Sequence, residues 1–260
     1  MTTFKPVDSL ITITEPDSAA AEAYRILRTN ISLKDFDQKL KIINIISTNA
    51  QESKSTTALN LAYVYSQLGK KTLVIDLDLR APSLHKKLKI KNKYGISDVV
   101  SKNVSFSEAV IHYASKMDIL LSGTRNPFAS EFIQSKSFRS LLEALRQAYD
   151  MVIIDCPPVG LVTDGVIAST LCDGTIICVA SGFNDRKDLE RTRDLLKQFD
   201  VNILGVVMTR VPVAKRYYGH YGRYGRYGNY GGYGYGYTSS KKKTKKSRMN
   251  KKEESSSKRS

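Results

Sequence analysis

The sequence predicts a doubly wound α/β domain with a mostly parallel sheet. Two observations carry this. Short apolar runs alternate with helix-length amphipathic segments along most of the chain. Runs such as MVIID (151–155) and TIICVA (175–180) lack polar alternation, which marks strands covered by helices on both faces. A helix is predicted near 18–34, opened by the turn-forming Pro16-Asp17-Ser18, after an N-terminal extension at 1–17. IINIIS (42–47) is the first strand, followed by a helical pattern near 55–69 and the strand TLVIDLD (72–78). A helical pattern near 105–114 precedes the strand MDILLS (117–122). Helices near 137–149, 164–171 and 186–199 then alternate with strands at 151–155, 175–180 and 202–209. The pattern stops near Val213, so the folded domain is expected at 18–214.

The formal net charge is +16, unevenly distributed. Residues 215–260 carry 14 Lys and Arg against two Glu, which leaves the body close to neutral. Within 238–260 the chain is a Lys/Ser run without hydrophobic periodicity. Such a run is expected to be disordered and solvated, or to touch an anionic membrane face or nucleic acid. Cys156, Cys172 and Cys178 show no pairing pattern, and buried free thiols in a reducing compartment are expected. The first residues hold no apolar leader, and no run of about 18 apolar residues crosses a membrane, so an intracellular protein is expected.

The chemistry concentrates at strand ends. After the first strand comes Ser47-Thr48-Asn49-Ala50-Gln51-Glu52-Ser53-Lys54-Ser55-Thr56-Thr57, leading into an apolar helix. Lys54-Ser55 matches the last two positions of the Walker A pattern GxxxxGK[ST], and only together with the strand-end aspartates below does it make a P-loop NTPase-like fold the expectation. Backbone N–H groups at a helix start hold phosphates there, with Lys54 reaching the β/γ-phosphates and Ser55 giving a hydroxyl to Mg²⁺. Ser53 and Gln51 stand where glycine would ease the unusual backbone. A helix start rich in Ser, Thr and Lys is the plain alternative for this segment taken alone. The second strand delivers Asp76 and Asp78, and the strand at 151–155 ends in Asp155. Hard carboxylate oxygens at the carboxyl ends of parallel strands suit Mg²⁺, or accept a proton. A cap role fits any one of these aspartates but not all three in this order.

Nine tyrosines, Tyr217, Tyr218, Tyr221, Tyr224, Tyr227, Tyr230, Tyr233, Tyr235 and Tyr237, lie in a Tyr/Gly-rich stretch at 215–237. The rest of the chain has six. Glycine denies these rings a core, so their hydroxyls are expected in water, open to modification. A sticky low-complexity linker is the competing interpretation.

Together these motifs resemble the bacterial tyrosine kinase family, the cytoplasmic kinases that partner capsule and exopolysaccharide chain-length regulators. Glu22, Arg25 and Arg28 resemble the family's ExxRxxR helix, which implies subunit contacts in ring-shaped homo-oligomers. Lys54 to Ala62 resembles its Walker A helix, and Asp76 to His85 its additional Walker A′ motif. Asn126 to Ile133 resembles an NPSELL-like segment, and Asp155-Cys156-Pro157-Pro158-Val159 with Thr163-Asp164 its Walker B region. Gln51 and Ser53 replace glycines of the family's loop, Ala81 stands where a second arginine is frequent, and Cys156 replaces a threonine.

The resemblance implies an ATP- and Mg²⁺-dependent tyrosine autokinase with a kinase domain at 18–214. Gln51, Glu52, Ser53, Lys54, Ser55 and Thr56 would bind nucleotide. Ser55, Asp76 and Asp155 would hold Mg²⁺, and Lys54, Asp76, Asp78 and Asp155 form the catalytic set. The tail tyrosines would be phosphoacceptors entered into a neighbour's site. Implied partners are a membrane adaptor, other copies of the chain and a cognate tyrosine phosphatase. The location would be cytoplasmic, peripheral at the inner membrane face through the adaptor, with the basic tail able to touch anionic lipid. A weakly active or inactive relative acting as an interaction subunit is the alternative. A partitioning-type ATPase lacks support because 49–51 holds no lysine, and a nucleic-acid-binding role leaves the aspartates unexplained.

Overall fold

The computed structural model describes residues 7–212 apart from 36, 38 and 184. The chain separates into Met1–Pro212 and Val213–Ser260. The tyrosine stretch, all nine proposed phosphoacceptors and the basic segment lie outside the described residues.

A short helix, α1 (Ile11–Thr14), leads into α2 (Ala19–Lys34). Ser18 caps α2 as its hydroxyl accepts the Ala21 N–H at 3.2 Å. The α/β alternation follows: β1 (Ile42–Ser47), α3 (Lys54–Ser66), β2 (Thr72–Asp76), then the short helices α4 (Leu84–Leu88), α5 (Ile96–Val100) and α6 (Phe106–Ala109). The hairpin strands β3 (Ile111–Ala114) and β4 (Met117–Leu120) precede α7 (Ala129–Gln134) and α8 (Lys136–Ala148). The chain closes with β5 (Met151–Asp155), α9 (Asp164–Ser169), β6 (Gly174–Ala180), α10 (Arg186–Gln198) and β7 (Ile203–Thr209).

The seven strands form one sheet in the order β3-β4-β2-β5-β1-β6-β7. Every pairing is parallel except β3 with β4. All residues of β1, β2, β5 and β6 are buried, as their uninterrupted apolar runs require. One core layer packs α2, α3 and α4 on one face, through Ile31, Leu59, Leu61 and Leu84. The other packs α7, α8, α9 and α10, through Ile133, Phe138, Val166 and Leu196.

The segment 105–114 departs from the single helix expected. Ser105 and Glu108 form a capping box that starts α6. Val110 is already extended, and β3 then pairs antiparallel with β4 at the sheet edge. Tyr113 turns in while His112 turns out, the period of a strand rather than a helix. The strands expected at 72–78 and 117–122 end earlier, at Asp76 and Leu120. Within the N-terminal extension, Val7, Leu10 and Thr12 are buried against the α3 layer.

Candidate active site

The chain leaves β1 toward α3 on one face and leaves β5 toward α9 on the other. The crevice between the carboxyl ends of β1 and β5 is therefore the topological switch point, where open α/β sheets hold ligands. Lys54 opens α3 at this point, and Asp155 ends β5.

Gln51 and Ser53 adopt left-handed backbone with φ of 62° and 64°. These are the two positions where glycine was expected from the loop's shape. A non-glycine residue in this region costs on the order of 1–3 kcal/mol. Surrounding bonds hold the shape. The Glu52 carboxylate accepts the Asn49 N–H at 2.7 Å and the Ala180 N–H at 3.2 Å. The Glu52 carbonyl accepts the Thr209 hydroxyl at 3.1 Å. Glu52 thus braces the loop against β6 and β7, with its side chain fully buried. The stretch after β5 closes the other flank, as Val159 and Gly160 N–H groups donate to the Ser47 and Thr48 carbonyls, each at 2.9 Å. A Cβ on Gly160 would stand 2.5 Å from the Thr48 carbonyl oxygen, so only glycine permits this approach. Ser53 gives α3 no side-chain cap, which leaves the first-turn N–H groups to a ligand.

Asp76 and Asp155 are register partners on adjacent strands. Both are buried. Asp76 Oδ1 accepts the Asp78 N–H at 3.2 Å, and Oδ2 accepts those of Ser83 and Leu84 at 3.3 and 3.1 Å. Burial, then the negative charge of Asp155, pushes the Asp76 carboxyl well above the ordinary carboxylate range. Burial raises Asp155 to about 6, against the opposing pull of Lys54 and of a hydrogen bond from Ser55. Ser55 Oγ lies 2.8 Å from Ser83 Oγ, and Asp155 Oδ1 has no hydrogen-bond partner. Asp78 is half-buried and its Oδ1 accepts the Ala81 N–H at 2.8 Å.

An orphaned buried carboxylate oxygen, a facing buried carboxylate and a serine hydroxyl are a hard-oxygen donor set that fits Mg²⁺. Among the described residues no group of three or more His, Cys, Asp and Glu forms a self-sufficient cage.

Several neighbours lie outside the set expected from the sequence. Arg80 Nε donates to Asp164 Oδ2 at 2.7 Å and its Nη2 to Oδ1 at 3.2 Å. Ser130 donates to the same Asp164 at 2.5 Å, and Arg125 Nη2 donates to the Arg80 carbonyl at 2.6 Å. The Walker A′, NPSELL-like and Thr163-Asp164 segments are thus tied by one buried carboxylate, Asp164. Their motifs are visible in the sequence, but the bonds between them are not. Glu22, Arg25 and Arg28 sit on α2. Arg25 Nη1 pairs with Glu22 at 3.0 Å, and its Nη2 donates to the Pro16 carbonyl at 2.7 Å. Arg28 donates to the Val64 carbonyl at 3.0 Å. Val64 is ten residues from Lys54, about 15 Å along α3, so these residues are not part of the phosphate crevice.

A family model described as an AAA domain matches residues 40–200. The tyrosine-protein kinase YwqD of Bacillus subtilis strain 168 is 37% identical over 216 residues, covering 81% of this chain and 91% of that protein. The chain belongs to the bacterial tyrosine kinase family. The tyrosine-protein kinase CpsD of Streptococcus pneumoniae serotype 4 is 35% identical, covering 77% of this chain and 88% of that one. Among solved structures, the chimerical protein CapA2B2 superposes with a TM-score of 0.76 at 33% identity, covering 81% of this chain and 93% of that chain. The kinase domain of the Escherichia coli tyrosine kinase ETK superposes with a TM-score of 0.74 at 26% identity, covering 91% of this chain and 87% of that chain. Membership in this family agrees with the resemblance drawn from the motifs, and the P-loop-like sheet agrees with the fold expected.

Proposed function

We propose that this member of the bacterial tyrosine kinase family is an ATP- and Mg²⁺-dependent autokinase that phosphorylates the tyrosines at 217–237 of a neighbouring copy. The observation that carries it is the register pair Asp76–Asp155, with a buried Asp155 oxygen that has no hydrogen-bond partner, at the strand ends beside the Lys54 loop. Lys54 and the first N–H groups of α3 hold phosphates. Ser55, Asp76 and Asp155 hold Mg²⁺, which supplies charge neutralisation across the phosphates. Asp78 accepts the proton as the tyrosine oxygen bonds to the γ-phosphorus and the bond to the bridging oxygen breaks, leaving ADP. One Asp78 oxygen is taken by Ala81, and the other receives no hydrogen bond from the described residues.

In the cell we assign it to capsule or exopolysaccharide synthesis and chain-length control. A membrane adaptor would recruit it to the inner membrane face, and a cognate tyrosine phosphatase would reverse its modification. No helix among the described residues is long and apolar enough to cross a membrane, so recruitment through a partner suits this portion of the chain. A mixing experiment tests transfer between copies. A chain with all nine tail tyrosines changed to Phe is incubated with a Lys54→Met chain, ATP and Mg²⁺. Phosphotyrosine on the Lys54→Met chain is expected, and its absence, while the unaltered chain labels itself, contradicts transfer in trans.

A further inference from the structure

The carboxylates Asp76, Asp78 and Asp155 converge on a site whose loop supplies one lysine, Lys54, and an anionic nucleotide adds to the imbalance. Residues 49–51 of the loop, Asn-Ala-Gln, bring no cation. A second cation arrives from another element. Lys87 Nζ donates to Thr56 Oγ1 at 3.1 Å, in the first turn of α3. None of the ion pairs among the described residues involves Lys87. A half-buried ammonium held by a single neutral hydroxyl keeps two donors for another acceptor. Its helix is fixed at the site. Asp76 accepts the Ser83 and Leu84 N–H groups at the start of α4, and Ser83 touches Ser55. The Lys87 N–H donates to the Ser83 carbonyl at 3.1 Å, and the Lys87 carbonyl accepts the Ser9 hydroxyl at 2.9 Å.

The geometry points to Lys87 as a second phosphate-binding lysine, holding the nucleotide phosphates opposite Lys54. This rests on the crevice being a nucleotide site. Lys54 serves from the loop as a P-loop lysine does, whereas Lys87 is delivered by a helix that the Walker A′ carboxylate itself anchors. The two lysines would close on the phosphates from α3 and α4, so that nucleotide binding ties these helices together.

The test compares the full-length chain with Lys87→Met, Lys87→Arg and, as a control, Lys86→Met, whose exposed lysine makes no contact with Thr56. Methionine keeps the stem and removes the charge. ATP binding is measured by titration calorimetry with Mg²⁺ and with EDTA, and Mg²⁺ alone by its effect on the melting temperature. Lys87→Met is expected to weaken ATP about tenfold or more in both conditions, as loss of a charge-assisted bond to phosphate implies. The same change is expected to leave the effect of Mg²⁺ alone unchanged, because the Lys87 side chain bonds to Thr56 and to none of Ser55, Asp76 and Asp155. Lys87→Arg should recover most of the ATP affinity, and Lys86→Met should match the unaltered chain. Unchanged ATP affinity in Lys87→Met, or weakening of ATP and Mg²⁺ together, overturns the assignment and leaves Lys87 as a clip between α4 and α3. An unaltered chain that binds no ATP removes the nucleotide site, and the assignment with it.

Discussion

Gln51 and Ser53 show how a side chain can be wrong for its backbone and still be accommodated. Both hold left-handed φ values, and Glu52 between them is bonded to β6 and β7. Gln51→Gly and Ser53→Gly should each raise the unfolding free energy by about 1 kcal/mol, the relief of strain less the entropy glycine adds. Urea unfolding checks this, and the double variant should also bind ATP at least as tightly as the unaltered chain. The Asp155 carboxyl carries a pH signature. Its folded value, about 6, lies above the ordinary carboxylate value, so the folded protein holds the extra proton between about pH 4 and 6. Free of Mg²⁺, stability should therefore fall as pH rises through that window, by on the order of 1–3 kcal/mol. Mg²⁺ should raise the melting temperature more at pH 7.5 than at pH 5, and Asp155→Asn should stabilise the metal-free chain at pH 7.5 while abolishing the Mg²⁺ effect. The aspartates were legible because each follows an apolar strand. Ser83, Lys87 and Ser130 were not, because their part in the site exists only once α4 and α7 fold back over the strand ends.

At the scale of the element, α3 is central. It is buried around nearly its whole circumference, covered by the sheet within and α2 outside. Such a helix shows no polar stripe, and its place in the sequence was marked by the helical pattern near 55–69 together with the lysine loop before it. Asn60 ties it to the N-terminal segment. Its Oδ1 accepts the Thr12 N–H at 3.0 Å and the Thr12 hydroxyl at 2.8 Å, and its Nδ2 donates to the Ser9 carbonyl at 2.7 Å. Asn60→Ala would leave buried groups of Thr12 and Ser9 without partners. A loss of about 2–3 kcal/mol in urea unfolding is expected, with faster amide exchange across 9–14. The sequence showed this segment only as an extension, since a few apolar residues without period say nothing of where they dock. The same limit hid β3, whose four residues are too short for alternation to stand out against the helical pattern before them.

For the whole molecule, the alternation of apolar runs and helices was enough to predict the parallel sheet, because burial on both faces removes polar residues from its strands. Strand order was not predictable in this way, since it depends on which connections cross the sheet. The tail at 215–237 and the helix α2 enter the account of assembly. Glu22 is exposed and its bond to Arg25 is an i,i+3 surface pair, worth a few tenths of a kcal/mol (about 0.2–0.5) to the fold. Glu22→Ala with Arg25→Ala should leave the melting temperature within a few degrees while reducing oligomer size in light scattering. Unchanged size would remove these residues from the subunit contact. We propose that phosphates on the tail, about −1.5 to −2 charge each, would offset its basic character and release subunits, and an unchanged oligomer size after full phosphorylation would contradict this. The central claim, an active autokinase built on an altered loop, is tested most directly by incubating the full-length chain with ATP and Mg²⁺ and mapping phosphotyrosine by mass spectrometry. Phosphate on tyrosines between 217 and 237, absent from Lys54→Met, is the predicted result. A folded chain that stays unmodified, with and without the cytoplasmic peptide of a membrane adaptor, would contradict it and leave an interaction subunit without kinase activity.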